Sequence, residues 1–270
     1  IKTVKKFPRK TREIENFWIP MSDGVKLAAR MWLPVDAEKK PVPAVLEYLP
    51  YRKRDGTIAR DALTHPYLAG HGYAAIRVDM RGNGDSDGLM ADEYTKQEQD
   101  DALEVIAWIA RQSWCTGKVG MFGISWGGFN ALQVAARKPP ALKAIVTICS
   151  TDDRYEDDVH YKGGTVINEM LGWAATMLAY SANPPDPKLV GNRWRKMWME
   201  RLKNEPFLII PWLSHPHRDA YWKHGSVCED FGAIEAPTLI VGGWNDAYSN
   251  AIPRLMKGLR TTRKAIIGPW

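Results

Sequence analysis

The chain has 270 residues, 45% of them hydrophobic, and a formal net charge of +6. This is enough apolar material for one full-sized core with room for an insertion, and no apolar run approaches the roughly 18 residues that a membrane span needs. Cys115, Cys149 and Cys228 stand alone in neither a metal spacing nor a disulfide framework, so the expected setting is reduced and cytoplasmic, without membrane, metal or cofactor.

The opening "IKTVKKFPRKTREIE" is basic through Lys2, Lys5, Lys6, Arg9, Lys10 and Arg12, but it lacks the apolar stretch of a secretory signal. It reads as a solvated leader. No recognition motif or basic–aromatic interleaving follows, which argues against a nucleic-acid partner. The first residue is Ile rather than Met, so a piece of a longer protein is expected.

"ENFWIP" (15–20) and "VKLAARMWLP" (25–34) read as two strands joined at Asp23-Gly24, a dipeptide suited to a hairpin turn. "PAVLEYLP" (43–50) and "YAAIRVDM" (73–80) are further strands, the second leading into the loop "RGNGDSDG" (81–88). Thr95-Lys96-Gln97-Glu98 has capping-box spacing, and Ala102, Val105, Ile106 and Ile109 share one face of the helix after it. "KVGMFGI" (118–124) is a buried-type strand and "WGGFNALQVAAR" (126–137) the helix that follows. "LKAIVTIC" (142–149), "APTLIVGG" (236–243) and "RKAIIG" (263–268) bring the total to about eight strands.

Apolar strands alternating with helices predict an α/β fold, a mostly parallel eight-stranded sheet covered on both faces with an antiparallel edge. The rhythm breaks between 151 and 230. That segment holds Trp173, Trp194, Trp198, Trp212 and Trp222, with a proline-rich, hinge-like "SANPPDPK" (181–188). It is expected to be a helical cap inserted into a discontinuous core of 1–150 and 231–270. Its aromatic side chains suit a small-molecule site.

Gly123-Ile124-Ser125-Trp126-Gly127 sits between an apolar strand and a helix. There, Gly-x-Ser-x-Gly is a nucleophile elbow: small neighbours permit a tight turn, and the helix start aims backbone N–H groups at an oxyanion. Ser125 is therefore the candidate nucleophile, and the sheet is expected to have the α/β-hydrolase fold. Asp246, beyond "PTLIVGG", is the candidate acid that would orient a histidine, although Asn245-Asp246 also suits a plain turn. The base should be a histidine after the last strand. None of the six histidines (His65, His71, His160, His215, His217 and His224) lies after Asp246. The base is expected to lie beyond Trp270. His215-Pro216-His217 lacks a third ligand and reads as surface.

"IPMSDGVKLAARMWLP", "PYRKRDG", "VDMRGNGDSDG", "WIARQSWCTGKVGMFGISWGG", "GGWNDAYSN" and "IGPW" together resemble the CocE/NonD hydrolases, acyl esterases related to cocaine esterase and to the X-Pro dipeptidyl-peptidases of family S15. The resemblance spans essentially the whole chain. It implies Ser125 as nucleophile, Asp246 as acid, and a catalytic histidine just after "GPW". It also implies an oxyanion hole made by the Tyr51 hydroxyl and the Trp126 N–H, substrate contacts from Trp173 and Tyr248, and a C-terminal jelly-roll domain absent from this chain. The stretch "STDDRYEDDVHY" (150–161) reads as a solvated acidic helix. By resemblance to amino-acid ester hydrolases, its carboxylates are instead candidates to hold a substrate ammonium.

The reading is thus a serine hydrolase of esters or amides, inactive without its base. The rivals are an X-Pro dipeptidyl-peptidase, acyl transfer to an acceptor other than water, and a non-catalytic hydrolase-like module. The expected partner is a small ester, amide or short peptide, and self-association is left open.

Overall fold

The computed structural model of the protein describes residues 4 and 6–270; Lys2 and Lys5 of the basic leader lie outside them. Strands β1 (Thr11–Pro20), β2 (Lys26–Pro34) and β3 (Val42–Leu49) lead to helix α1 (Ile58–Gly70), β4 (Ala74–Asp79), α2 (Lys96–Ala110), β5 (Cys115–Ile124), α3 (Trp126–Ala136) and β6 (Leu142–Ile148). A mainly helical segment follows, with β7 (Tyr161–Lys162), β8 (Thr165–Val166), α4 (Glu169–Ala182), α5 (Pro187–Val190), α6 (Trp194–Asn204), α7 (Ile209–Ser214) and α8 (Ala220–Lys223). The sheet resumes with β9 (Thr238–Gly243), α9 (Ala251–Gly258) and β10 (Arg263–Gly268).

Eight strands form one sheet in the order β1-β2-β4-β3-β5-β6-β9-β10. β1 pairs with β2, and β2 with β4, antiparallel; every later pair is parallel. The hairpin turns where the sequence places it, with Gly24 at φ 88 supplying the left-handed residue. Val119, Met121 and Gly123 of β5 are buried under α2 and α3. Phe122, on the opposite face, meets His65 of α1. An apolar groove of about 740 Å³ between α1 and strands β3, β5 and β6 is lined by Leu63, Tyr67, Phe122 and Val146; no candidate site residue lines it.

Helix α1 has no counterpart in the sequence reading. Pro66 lies inside it, and its buried positions are Asp61, His65, Ala69 and Gly70 rather than large aliphatics. The polar ones enter a charged cluster. Glu47 of β3 faces Arg77 of β4 across the parallel pair. Arg60 bonds Glu47 at 2.6 Å and Asp61 at 2.9 Å, and Arg77 lies 3.4 Å from Asp61. Glu47, Asp61 and His65 also bring potential metal-ligand atoms within 4.8 Å of one another. The two guanidinium groups already neutralise both carboxylates, and burial drops His65 to about 4. The cluster therefore acts as an ion-paired clasp between β3, β4 and α1, and losing one partner would strand a buried charge.

Two local expectations are corrected. The proline-rich stretch is not a hinge: Arg52 donates to the Pro184 carbonyl, Asp186 N–H donates to Asp85, and Arg54 bonds Asp186. "STDDRYEDDVHY" is not a helix, and of its acids only Glu156 is exposed. It is an irregular run ending in β7, with Asp152, Asp153, Asp157 and Asp158 buried. Arg254 bonds Asp152 and Asp157, Arg218 bonds Asp153, and Lys162 bonds Asp157. Sequence patterns count acids but do not show the distant arginines that neutralise them.

A Cβ on Gly123 would sit 2.6 Å from the Gly127 backbone, whereas one on Gly172, within exposed α4, would meet nothing within 4 Å. Gly123→Ala should lower stability by about 1–3 kcal/mol and Gly172→Ala should raise it by about 0.5–1 kcal/mol. Urea unfolding of both variants measures this; equal effects would contradict the geometry.

Candidate active site

β5 ends at Ile124 and α3 begins at Trp126, leaving Ser125 alone to turn the chain. Its backbone lies at φ 53, ψ −122. A non-glycine residue held there costs about 1–3 kcal/mol and persists only when its surroundings over-determine it. They do. Ser125 N–H donates to Ile148 O at 2.9 Å, tying the turn to β6, and Gly128 and Phe129 N–H groups donate to Ser125 O at 2.7 and 3.0 Å. A Cβ on Gly127 would come within 2.9 Å of Leu49. The turn thus needs small residues on both sides of the serine.

Thr95 caps α2 as expected, accepting from Glu98 N–H at 3.2 Å. Glu98 does not return the bond to Thr95. One oxygen accepts from Tyr94 N–H at 2.9 Å and the other from the Trp126 indole at 2.7 Å. A cap residue on α2 therefore fixes the residue that follows Ser125.

Tyr51 lies in the loop after β3. That loop is anchored by Lys53, whose backbone N–H donates to Asp79 at 2.7 Å and whose ammonium bonds Asp85 at 2.6 Å. Asn130 of α3 donates to the Tyr48 carbonyl at 3.0 Å, holding β3 against the elbow helix. The Tyr51 hydroxyl and the Trp126 N–H lie 3.4 Å apart. Burial pushes the Tyr51 phenol well above its ordinary range, opposed by hydrogen bonds from Ser125 and Trp126, so it remains a protonated donor. The Trp126 N–H donates to the Tyr51 hydroxyl oxygen, so the two groups are paired with each other beside Ser125.

Trp173 of α4 packs its ring 6.1 Å from Tyr51 and 6.2 Å from Trp126, and its indole donates to Glu93 at 3.1 Å. Tyr248 is buried, edge-on to Phe129 at 5.6 Å, with its hydroxyl donating to Asp158 at 3.0 Å. Asp246 follows β9. One of its oxygens accepts from Tyr248 N–H at 2.8 Å. The Cys149 thiol, at the end of β6, is pushed up to about 12 by burial and by Asp246. Because β6 separates β5 from β9, the strands that lead to Ser125 and Asp246 lie two strand spacings apart, roughly 10 Å, and both residues follow the C-terminal ends of their strands.

The histidines are engaged elsewhere. His65 joins the Glu47 cluster, His71 bonds Tyr67 O, His215 bonds Asp219 and His224 bonds Tyr94 O. His160 is fully buried between Glu93 and Asp158, and His217 is exposed. None bridges Ser125 and Asp246 among the described residues. Sequence reasoning missed Glu93 and His160, which lie behind the site; neither falls in a motif.

Comparison with known proteins gives the family of the chain. The family profile described as X-Pro dipeptidyl-peptidase (S15 family) matches residues 23–270. The chain belongs to the peptidase S15 family. The cocaine esterase of Rhodococcus sp. is 31% identical over 94% of the chain and 48% of that protein. A putative Xaa-Pro dipeptidyl-peptidase of Streptomyces avermitilis is 29% identical over 54% of the chain and 25% of that protein. Among solved structures, a CocE/NonD family hydrolase from Staphylococcus aureus superposes with TM-score 0.75 at 23% identity, covering 95% of the chain and 46% of that protein. This S15 chain thus has the α/β-hydrolase fold and spans about half the length of the Rhodococcus esterase. No helix is long and apolar enough to cross a membrane among the described residues.

Burial pushes Glu98 up to about 8; the Trp126 indole opposes this and the Glu93 charge adds to it. Because the folded value lies above the ordinary 4.5, the stability carried by protonated Glu98 is complete below about pH 4.5 and is lost as pH rises towards 8. Glu98→Gln keeps an acceptor for the indole but cannot ionise. Its stability should fall less steeply than wild type between pH 5 and 8, by up to about 1.4 kcal/mol per pH unit. Parallel slopes in urea titrations would show that Glu98 does not carry this pH dependence.

Proposed function

We propose that the protein is a serine hydrolase that cleaves carboxylic esters or amides through an acyl-enzyme on Ser125. The observation that carries this reading is the elbow: Ser125 in a strained turn at φ 53, with the Tyr51 hydroxyl and the Trp126 N–H beside it. Ser125 Oγ attacks the carbonyl carbon while a histidine takes its proton. The carbonyl electron pair moves to oxygen, and Tyr51 and Trp126 receive the oxyanion. Collapse expels the alcohol or amine, which the histidine protonates, and water then repeats the sequence on the acyl-enzyme. Asp246 holds that histidine in the productive tautomer. Trp173 and Tyr248 flank the acyl group.

The base is proposed to come from outside these 270 residues. Asn245 N–H donates to the Trp270 carbonyl at 3.0 Å, so backbone continuing past Trp270 would start beside Asp246. The segment 151–230 serves as the cap over the sheet edge.

Neutral acyl groups are favoured over peptides with a free N-terminal amine. The four aspartates of the segment after β6 are already taken by Arg254, Arg218, Lys162, His160 and Tyr248, which leaves them committed rather than open to an ammonium; only Glu156 of that run is exposed. The family description and the Streptomyces relative keep X-Pro amides as the second reading.

The test is hydrolysis of p-nitrophenyl esters and X-Pro-p-nitroanilides by the parent protein, including whatever follows Trp270. Ester turnover should dominate. Ser125→Ala should lower it on the order of a million-fold, and the 270-residue chain alone should be comparably weak. Strong ester hydrolysis by the 270-residue chain, abolished by Ser125→Ala, would sink the external base. Faster cleavage of the nitroanilides would replace the esterase reading. A parent protein inert on both would leave a non-catalytic module.

A further inference from the structure

Behind the candidate site, five side chains from four separate parts of the chain form a polar line, hydrogen-bonded at both ends and joined at the central imidazole by charge proximity. The Trp173 indole donates to Glu93 Oε1 at 3.1 Å. Glu93 Oε2 lies 2.8 Å from His160 Nε2. His160 Nδ1 lies 3.4 Å from Asp158 Oδ2, and Asp158 Oδ1 accepts from the Tyr248 hydroxyl at 3.0 Å. Glu93, Asp158 and His160 are all buried. Each carboxylate spends one oxygen on an aromatic side chain and turns the other towards the same imidazole.

We propose that His160, as an imidazolium bridging Glu93 and Asp158, is the positioning residue that holds Trp173 and Tyr248 in register as the two aromatic walls of the acyl site; this rests on the reading of those aromatics given above. A neutral imidazole donates through one nitrogen only and could serve one carboxylate; the cation donates through both. Without that cation, two buried carboxylates would face each other across a neutral ring, an arrangement that repels and is costly to desolvate.

The surroundings favour the charged form. Glu93 approaches from the loop before α2, and Asp158 from the same segment as the ring. Arg154 lies 4.0 Å from Glu93, completing two cations against two anions. Tyr248 reaches Asp158, while α7 and α8 contribute only the rings of Trp212 and Trp222, at 4.3 and 5.1 Å. Burial works against the charge, but the Glu93 and Asp158 carboxylates outweigh it and bring His160 up to about 9. The bridge is therefore complete at neutral pH and is lost as pH rises through about 9.

Two measurements test this. The first is ¹⁵N NMR of histidine rings in this chain and needs no activity. His160 should carry protons on both nitrogens at pH 7, unlike the other fully buried ring, His65, and should lose one near pH 9. The Trp173 indole signal, assigned through Trp173→Phe, should move with the same midpoint. A neutral His160 ring at pH 7, or an indole blind to its titration, overturns the proposal. The second is kinetics of the parent protein. His160→Gln should raise KM for p-nitrophenyl benzoate roughly tenfold and lower kcat less, with a much smaller KM change for p-nitrophenyl acetate, because only the bulky acyl group uses both walls. Equal losses on both esters, or a loss confined to kcat, overturn it. If the parent hydrolyses neither ester, the proposed function falls, and the NMR result alone decides the bridge.

Discussion

One strained residue sets the terms for everything around it. Ser125 occupies φ 53, ψ −122 between a central parallel strand and the helix that covers it. That conformation is held only because each neighbour removes an alternative. The Ile148 carbonyl takes the Ser125 N–H, the start of α3 is bonded back to the Ser125 carbonyl, and Gly123 and Gly127 leave no room for side chains. The strain is local, but the structure that maintains it extends across β5, β6, α2 and α3.

The loops that complete the site are held by buried charge rather than by apolar packing. Lys53 ties the Tyr51 loop to Asp79 and Asp85, and Arg254 and Arg218 draw in the acidic run after β6. Loops cannot bury enough hydrocarbon to become rigid, whereas ion pairs with satisfied hydrogen bonds impose direction as well as attraction. Each such pair is a weak contributor to net stability but expensive to break from one side. That asymmetry suits a site in which position matters more than overall stability.

This division explains what could be read in advance. The strands, the helices after β4 and β5 and the elbow follow short-range patterns: alternation, capping spacing and the small residues of a tight turn; Asp246 is marked by its place after a strand, and Tyr51 only by the family resemblance. The charged contacts follow no such pattern. Glu98 carries a recognisable capping-box position, yet its carboxylate bonds the Trp126 indole 28 residues away. Helix α1 was invisible because its buried face is Asp61, His65 and two small residues, and its partners Glu47 and Arg77 lie on strands where charge normally argues against a core. The acidic run follows the same rule: beside the local Lys162 and His160, its arginines come from α9 and from the segment before α8, at separations no local window spans.

Glu93 and Glu98 show how closely such choices are placed. Both are buried and lie in one short stretch leading into α2, and both accept a bond from a tryptophan of the site. Glu98 has only neutral donors beside it, so burial makes its protonated form the favourable one. Glu93 has His160 and Arg154 within 4.0 Å, so a negative charge there has partners. The same residue type thus gives a neutral brace under the elbow and an ion-paired anchor behind Trp173. The difference lies in whether a distant cation reaches it.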